Sequence, residues 1–311
     1  RAVEAAMPMT RIVPCVWLDD QAETAAAFYS RTFKGTRVVS SSRYPEGSAN
    51  PSGRPPGSVL TVELELLGQR FTLLNGGPIF KPNPSVSFFV HVDTPAEVDP
   101  LYAALMEGGE ALMPLDGYPW SERYAWVQDR FGVSWQLIAG RRPEGSGAVV
   151  PCLMFVGPMH GRAAEALRFL AGVLPGGRVE ALEHYAAGEG PVEMVKHGRV
   201  LLDGQALIAM DAHGGHGFAF SEGLSLQVMC QGQAEVDRFW AALSDGGEPG
   251  QCGWLKDRFG FSWQVVPAAW EQWTAHSDKA AYDRAFSALL EMKKLDVVAL
   301  ERAFRGPSGT A

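Results

Sequence analysis

The chain has 311 residues, enough for about two domains of ordinary size, and its 46% hydrophobic and 20% charged residues exclude a disordered chain. The net charge of −8 argues against nucleic acid as a partner, because phosphate binding needs a basic surface. No stretch reaches the roughly 18 apolar residues of a membrane span, so we expect no membrane partner.

The first half of the chain predicts the same order of elements twice. A strand at 12–18, a helix at 20–33 and strands at 36–44, 59–67 and 70–75 are followed by a strand at 86–92, a helix at 95–108 and strands at 111–115, 123–128 and 133–139. Thr94 and Pro95 are typical of a helix start. Each set is a βαβββ module.

The second half repeats the first. The decamer DRFGVSWQLI at 129–138 returns as DRFGFSWQVV at 257–266, Pro14 matches Pro151, Gly68 matches Gly204, and Ser87 matches Ser225. The second copy is about ten residues shorter, all lost between Glu248 and Asp257. We therefore predict four modules in two domains, 10–140 and 149–267, followed by a helical tail at 268–306.

The tail carries one amphipathic pattern from 281 to 304, with an N-cap predicted at Ser277 or Asp278. We expect it either to dock on a sheet edge or to cap the second cup. The first ten residues show no signal-peptide pattern and are left out of the fold prediction. Four scattered cysteines fit neither a disulfide framework nor a zinc site, which favours reduced thiols in a cytoplasmic protein.

Four motifs carry a family likeness: VPCVWLDDQAETAAAFY, SVSFFVHVD, QCGWLKDRFGFSWQVVP and KAAYDRAFSALLEMKKLDVVALERA. Over about residues 10–305 the chain resembles the PhnB-like (3-demethylubiquinone methyltransferase-like) branch of the glyoxalase/bleomycin-resistance/dioxygenase, or vicinal oxygen chelate, superfamily. The resemblance implies an α+β fold in which curved mixed sheets, built from paired βαβββ modules, form half-open cups around a small-molecule cavity. The sequence lacks the Gly-rich strand–turn–helix of a dinucleotide-type methyltransferase, so we discount methyl transfer.

The resemblance also implies where a metal would bind, because enzymes of this superfamily hold a divalent ion on the first and last strands of each module. Those positions fall here on Val13, Leu73, Ser87, Gln136, Val150, Ala209, Ser225 and Gln264. Valine, leucine and alanine cannot ligate, and serine and glutamine are poor, neutral ligands. We predict no metal site and no cofactor.

Strand alternation gathers candidate ligand-binding residues on the inner sheet faces. They are mostly apolar with a few amides and hydroxyls, which favours a planar or moderately hydrophobic ligand, although the same side chains could simply fill the cups. The candidates are Trp17, Ser87, Phe89, His91, Trp126, Gln136, Met154, His197, Gln227 and Gln264.

Other residues receive structural interpretations. Trp135 and Trp263 have the opposite strand parity and are predicted to be core, while the DRFG tetrads predict turns. Trp120, Tyr124 and Trp126 concentrate aromatic side chains in the first copy, where we expect the more open cavity. The pair His213 and His216 lies in a glycine-rich stretch and reads as an exposed turn.

Three functions stay open at this point. The first is a small-molecule binding protein without the family metal site, holding a metabolite or antibiotic. The second is an enzyme: a metal-dependent lyase, isomerase or dioxygenase, or a metal-free one with His91 or His197 as base. The third is an interaction module that has lost its cavity. Because four fused modules supply what two-module relatives assemble as dimers, we expect a monomer or weak homodimer.

Overall fold

The computed structural model describes residues 11–47 and 53–307. The first ten residues and part of the Gly/Pro/Ser-rich loop, residues 48–52, lie outside the described ranges, as do residues 308–311. Within the described ranges no helix is both long and apolar enough to cross a membrane.

The first repeat contains two βαβββ modules, as predicted. The first module comprises β1 (Ile12–Leu18), α1 (Ala22–Thr32), β2 (Arg37–Arg43), β3 (Val59–Leu66) and β4 (Gln69–Asn75). The second comprises β5 (Val86–Val92), α2 (Pro95–Leu105), β6 (Glu110–Tyr118), β7 (Ser121–Gln128) and β8 (Ser134–Ala139). Helix α2 begins as predicted, because the Thr94 backbone N–H donates to Glu97 Oε2 at 2.8 Å with Pro95 in the first turn.

The second repeat gives two more modules. The third comprises β9 (Val149–Phe155), α3 (Ala163–Val173), β10 (Arg178–His184), β11 (Val195–Leu202) and β12 (Gln205–Asp211). The fourth comprises β13 (Leu224–Cys230), α4 (Gly232–Ser244), β14 (Glu248–Pro249), β15 (Trp254–Lys256) and β16 (Ser262–Pro267). The missing residues shorten one hairpin: β14 and β15 have 2 and 3 residues, against 9 and 8 in β6 and β7.

The modules pair across the two repeats. Sheet A has the order β14-β15-β16-β13-β1-β4-β3-β2 and sheet B the order β10-β11-β12-β9-β5-β8-β7-β6. Strand β1 pairs antiparallel with β13, which sets Cys15 opposite Ser225, and β5 pairs antiparallel with β9, which sets Ser87 opposite Cys152. The first module therefore joins the fourth and the second joins the third. The α+β fold of four βαβββ modules in mixed sheets is confirmed.

Each sheet has one face in the main core and one face turned away from it. The core face packs against the helices and includes Trp135 and Trp263, both at most 1% exposed, so their prediction as core is confirmed. We call the opposite side of sheet A, which carries Val13, Cys15 and Trp17, cup A. The opposite side of sheet B, which carries Phe89, Val150 and Cys152, is cup B.

The repeated DRFG tetrads form turns, also as predicted. In the first copy, Asp129 Oδ1 accepts hydrogen bonds from the backbone N–H groups of Phe131 and Val133 at 2.8 and 3.1 Å. Its Oδ2 accepts from the Tyr29 hydroxyl at 2.6 Å and from the Trp135 indole at 2.9 Å. The buried aspartate thus joins the turn to helix α1 and to the core tryptophan.

The tail forms three helices, and the amphipathic pattern predicted over 281–304 is divided between the last two of them. They are α5 (Ala269–Thr274), α6 (Lys279–Leu290) and α7 (Val297–Arg305). Asp278 caps α6, as predicted, by accepting from the Ala281 backbone N–H at 3.0 Å. The helix pattern breaks because Asp296 caps a new helix, accepting from Ala299 N–H at 2.9 Å. The tail caps cup A, which joins the first and fourth modules, and not a cup formed by the second repeat alone.

Candidate ligand-binding cavity

A cavity of about 620 Å³ lies between cup A and the helical tail. Strands of the first and fourth modules form its floor, and α5, α6 and the segment before α7 form its roof. Its floor and walls include Val13, Cys15, Trp17, Glu63, Thr72, Leu74, Gln227, Gln264 and Val266, and its roof includes Trp270, Phe286, Leu289, Leu290 and Leu295.

Strand register explains which floor residues meet. Val13 lies opposite Gln227 across the β1–β13 pair, and Gln227 lies beside Gln264 in the parallel β13–β16 pair. Of the ten predicted binding residues, Trp17, Gln227 and Gln264 line this cavity. Gln264 Nε2 donates to Ser225 Oγ at 3.0 Å, which orients its amide within the floor.

A hydrogen-bonded chain crosses the floor and ends at Glu63. Gln227 Nε2 donates to Thr72 Oγ1 at 2.8 Å, and the Thr72 hydroxyl lies 2.9 and 2.8 Å from the two Glu63 carboxylate oxygens. The Glu63 side chain is only 18% exposed. Burial raises the pKa of Glu63 from 4.5 to about 7, against the opposing effect of the Thr72 hydrogen bond.

Sequence reasoning missed Glu63 and Thr72. In VLTVELEL the two glutamates alternate with buried apolar residues, which is the pattern of a solvent-facing strand side. A signal was nevertheless present in the repeat, because Glu63 and Thr72 align with Arg199 and Ile208 in the second copy. A change of residue type at aligned positions of two similar repeats indicates that the inner faces of the two cups differ there.

Two arginines form ion pairs around the cavity. Arg37 contacts Glu65 at 3.1 Å across β2 and β3. Arg70 contacts Glu271 of the tail at 3.1 Å and lies 3.7 Å from Glu63. The second contact links the sheet directly to the roof, so the position of the tail and the charge of the floor are connected through one guanidinium.

Tryptophan side chains form much of the wall. The rings of Trp17 and Trp254 meet edge to face with centroids 5.9 Å apart, and Trp270 contributes from the tail. Trp17 is fixed by donating Nε1–H to Gly77 O at 2.9 Å. A Cβ at position 76 would lie 2.3 Å from the Trp17 ring, so only glycine leaves room for the indole there.

The other predicted binding residues lie at sheet B, apart from this cavity. Gln136 Nε2 donates to Ser87 Oγ at 2.9 Å, and Gln136 Oε1 accepts from the Tyr124 hydroxyl. Phe89 and Trp126 pack in an apolar cluster on this sheet, and Met154 is buried on β9, two residues beyond the cluster member Cys152. Ser87, Phe89, His91, Trp126, Gln136, Met154 and His197 therefore form a separate group from Trp17, Gln227 and Gln264.

The expectation of a more open cavity within the first copy is wrong in its premise. Each cup takes one module from each repeat, so the first copy has no cup of its own. Its aromatic side chains Tyr124 and Trp126 instead pack against Phe89 and Cys152 in the cluster of cup B.

The two candidate bases both lie close to the ring of Phe89. Its ring centroid is 6.2 Å from that of His91 and 6.3 Å from that of His197. Burial lowers the pKa of His91 to about 4 and also lowers the pKa of His197, so both imidazoles are neutral at pH 7. His213 and His216 are exposed in the loop after β12, as predicted.

The family metal positions need one correction. Leu73 and Ala209 face the main core and are each 1% exposed; the cup-facing residues beside them are Thr72 and Ile208. A one-residue shift moves a side chain to the other face of a strand, which explains the error.

The corrected positions do not fit a divalent metal. They hold Val13, Thr72, Ser225 and Gln264 in cup A, and Ser87, Gln136, Val150 and Ile208 in cup B. These donors are neutral or absent, and burial raises the pKa of the adjacent Cys15 thiol to about 12. Across residues 11–47 and 53–307 no group of three His, Cys, Asp or Glu side chains is arranged to hold a metal ion.

The model of the 3-demethylubiquinone-9 3-methyltransferase family matches residues 10–138 and 147–266, once in each repeat. The chain belongs to this family. It is a PhnB-like member of the glyoxalase, or vicinal oxygen chelate, superfamily, which confirms the resemblance drawn from the sequence motifs.

Two solved structures illustrate what the chain is similar to. A PhnB protein of Bacillus cereus is 33% identical over 42% of this chain and 100% of its own, with a TM-score of 0.38. Glyoxalase I from Zea mays is 10% identical over 83% of this chain and 92% of its own, with a TM-score of 0.53, a similarity of fold alone. A search of the curated proteins gave no match.

Proposed function

We propose that this protein is a small-molecule binding protein that holds its ligand in the cavity of cup A without a metal ion. The observation that carries the proposal is the cavity of about 620 Å³ itself, with apolar walls and one hydrogen-bonded chain in its floor. Specific small-molecule sites combine a concave apolar surface with a few fixed polar groups in this way.

The wall composition supports a planar or moderately hydrophobic ligand, such as an aromatic metabolite or antibiotic. Trp17 and Trp254 offer ring faces and edges, and Leu74 and Leu289 offer aliphatic contact. The floor amides of Gln227 and Gln264 would orient such a ligand through hydrogen bonds.

Binding is favoured over methyl transfer, although the family name describes a methyltransferase. Dinucleotide-type folds place a Gly-rich turn at the end of a strand in a doubly wound, mostly parallel sheet. In this protein both sheets are mixed, and each parallel pair, such as β1 with β4, belongs to a split βαβββ module.

A metal-dependent lyase, isomerase or dioxygenase is the alternative, and elemental analysis distinguishes the two. Because Val13, Thr72, Ser225 and Gln264 offer a divalent ion no charged donor, we expect less than about a tenth of an equivalent of zinc, iron, nickel or manganese in the purified protein. One equivalent of any of these metals, retained after dialysis, would contradict the proposal.

A thermal-shift screen of planar aromatic compounds tests binding, since a ligand of the folded state raises the melting temperature. Leu74→Trp fills the cavity of cup A, and Met210→Trp at the aligned position in cup B is its matched control. We expect hits to bind wild type and Met210→Trp alike and to lose at least tenfold in affinity for Leu74→Trp. Hits that bind Leu74→Trp as well as wild type would place the binding site elsewhere.

A further inference from the structure

The charges around the cavity of cup A do not pair evenly. Its described lining contains three carboxylates, on Glu63, Glu65 and Glu271, and two guanidiniums, on Arg37 and Arg70. Arg37 pairs with Glu65 and Arg70 with Glu271, both at 3.1 Å. Glu63 is left with Arg70 at 3.7 Å, beyond hydrogen-bond distance, as the one described cation within 4 Å.

Glu63 also has unused hydrogen-bonding capacity. An ionised carboxylate accepts about four hydrogen bonds, whereas the single Thr72 hydroxyl proton supplies one. Gln227 donates to Thr72 and so orients the threonine proton towards the carboxylate. A buried anion with so few donors is costly, and a bound donor or cation would relieve that cost. The raised pKa of Glu63, at about 7, reflects the same deficit.

We propose that Glu63 binds a cationic group of the ligand, such as a protonated amine or an amidine carried on a planar apolar body. The assignment rests on the function proposed above and specifies the class of ligand that the cavity selects. It follows from three carboxylates facing two guanidiniums, with Arg70 shared between Glu271 and Glu63, and from the direction of the Gln227–Thr72–Glu63 chain.

The second cup shows that the fold does not require the hydrogen-bonded series Gln227–Thr72–Glu63. At the aligned positions, Arg199 replaces Glu63, Ile208 replaces Thr72 and Phe89 replaces Gln227. Arg199 is turned to the segment between the repeats, where it donates to Glu144 O and Ser146 Oγ. The same strand positions therefore carry an apolar pair and the opposite charge in cup B, so the acidic network is specific to the cup that contains the cavity.

Strand register also indicates the shape of the ligand. Glu63, Thr72 and Cys15 form one cross-strand row, and Thr61, Leu74 and Trp17 form the next row on the same face. Rows two residues apart along a strand are separated by about 7 Å. Because β4 lies between β3 and β1, Trp17 is also about 10 Å from Glu63 across the sheet, so an amine joined to an aromatic ring by one or two methylene groups reaches the next row with its ring over Leu74.

Three indoles of similar size test the proposal: tryptamine, a cation; tryptophol, which is neutral; and indole-3-acetate, an anion. Affinities are measured by isothermal titration calorimetry at pH 8, where Glu63 is mostly ionised and tryptamine is protonated. We expect wild type to bind tryptamine at least tenfold more tightly than tryptophol and to bind indole-3-acetate most weakly. Glu63→Gln should abolish the preference for tryptamine, and Glu122→Gln, which removes an exposed carboxylate on β7, should retain it.

Proton release gives a second measurement on the unaltered protein. At pH 7 Glu63 is about half protonated, so binding of tryptamine should release about half a proton. The number of protons released follows from the binding enthalpies measured by calorimetry in two buffers of different ionisation enthalpy. If wild type binds tryptamine and tryptophol equally and Leu74→Trp binds neither, the role of Glu63 is overturned and the cavity remains the binding site. Persistence of the preference in Glu63→Gln, or no binding of any of the three indoles to wild type, would also overturn that role.

Discussion

Asp257 Oδ2 accepts a hydrogen bond of 2.9 Å from the indole Nε1–H of Trp263, and neither residue is more than 4% exposed. Asp257 Oδ1 accepts two further bonds from the backbone N–H groups of Phe259 and Phe261, at 2.9 and 3.0 Å. One side chain therefore closes the turn before β16 and fixes the largest core residue of the fourth module. This double role explains why the decamer occurs in both repeats.

Replacing Asp257 by Asn should destabilise the fold. The amide keeps one oxygen but places an N–H₂ group against either the Trp263 indole or the two backbone donors, which leaves buried donors unpaired. We expect a loss of about 1–3 kcal/mol in the free energy of unfolding, measured by urea denaturation. The control, Asp245→Asn, removes only an exposed partner of Arg258 and should change stability by less than about 0.5 kcal/mol. Equal losses in the two variants would contradict the role of the turn.

Glu63 should make stability fall as pH rises. Its pKa is about 7 in the folded protein against 4.5 for the ordinary group, so the folded state binds more protons than the unfolded state between those values. The stability that this carboxyl contributes is therefore complete below pH 4.5 and is lost as the pH rises through 7. Glu63→Gln should gain up to about 3 kcal/mol relative to wild type between pH 5 and pH 8. A difference between the two proteins that does not change with pH would contradict the raised pKa.

The roof of the cavity depends on Phe286. Its side chain is 6% exposed and packs with Tyr44 of the loop after β2 and with Tyr282 on the same helix. Phe286→Ala should detach the tail locally and speed limited proteolysis within residues 268–307, because a large-to-small change at a buried aromatic costs about 3–5 kcal/mol. Val298→Ala, at a residue that is 59% exposed, is the control. Identical cleavage rates for both variants would show that the tail does not depend on this contact.

The oligomeric state follows from the pairing of modules. Each sheet is completed by two modules of the same chain, so no second chain is needed to form a cup. We predict a monomer or weak homodimer, with a mass close to the 33.6 kDa of one chain at low micromolar concentration. Size-exclusion chromatography with light scattering measures this, and an obligate tetramer would contradict it.

The sequence predicts the local features of this fold well. Strand alternation predicts Trp17, Gln227 and Gln264 on the cup-facing side, and the opposite strand parity predicts Trp135 and Trp263 as core. These features depend on residues close together in the chain, whose periodicity is visible in one segment.

The long-range arrangement could not be predicted in the same way. The apolar pattern of β1 is equally compatible with β13, β9 or β5 as its neighbour, so it does not predict which modules pair. The pattern of β3 indicates a surface position for Glu63 because the roof over its cavity, which includes Trp270 and Leu289, belongs to a tail more than 200 residues away.

The pairing of β1 with β13 has a consequence for synthesis in the cell. Ile12 meets Val228, so the first strand leaves the ribosome about 210 residues before its partner, an interval of roughly 10–40 s at 5–20 residues per second. During that time the nascent chain presents an unpaired, apolar strand edge, the kind of surface that chaperones bind and that drives aggregation. A product truncated after the first repeat lacks β13, so separate expression of that half should yield either a dimer that pairs these edges between two copies or inclusion bodies.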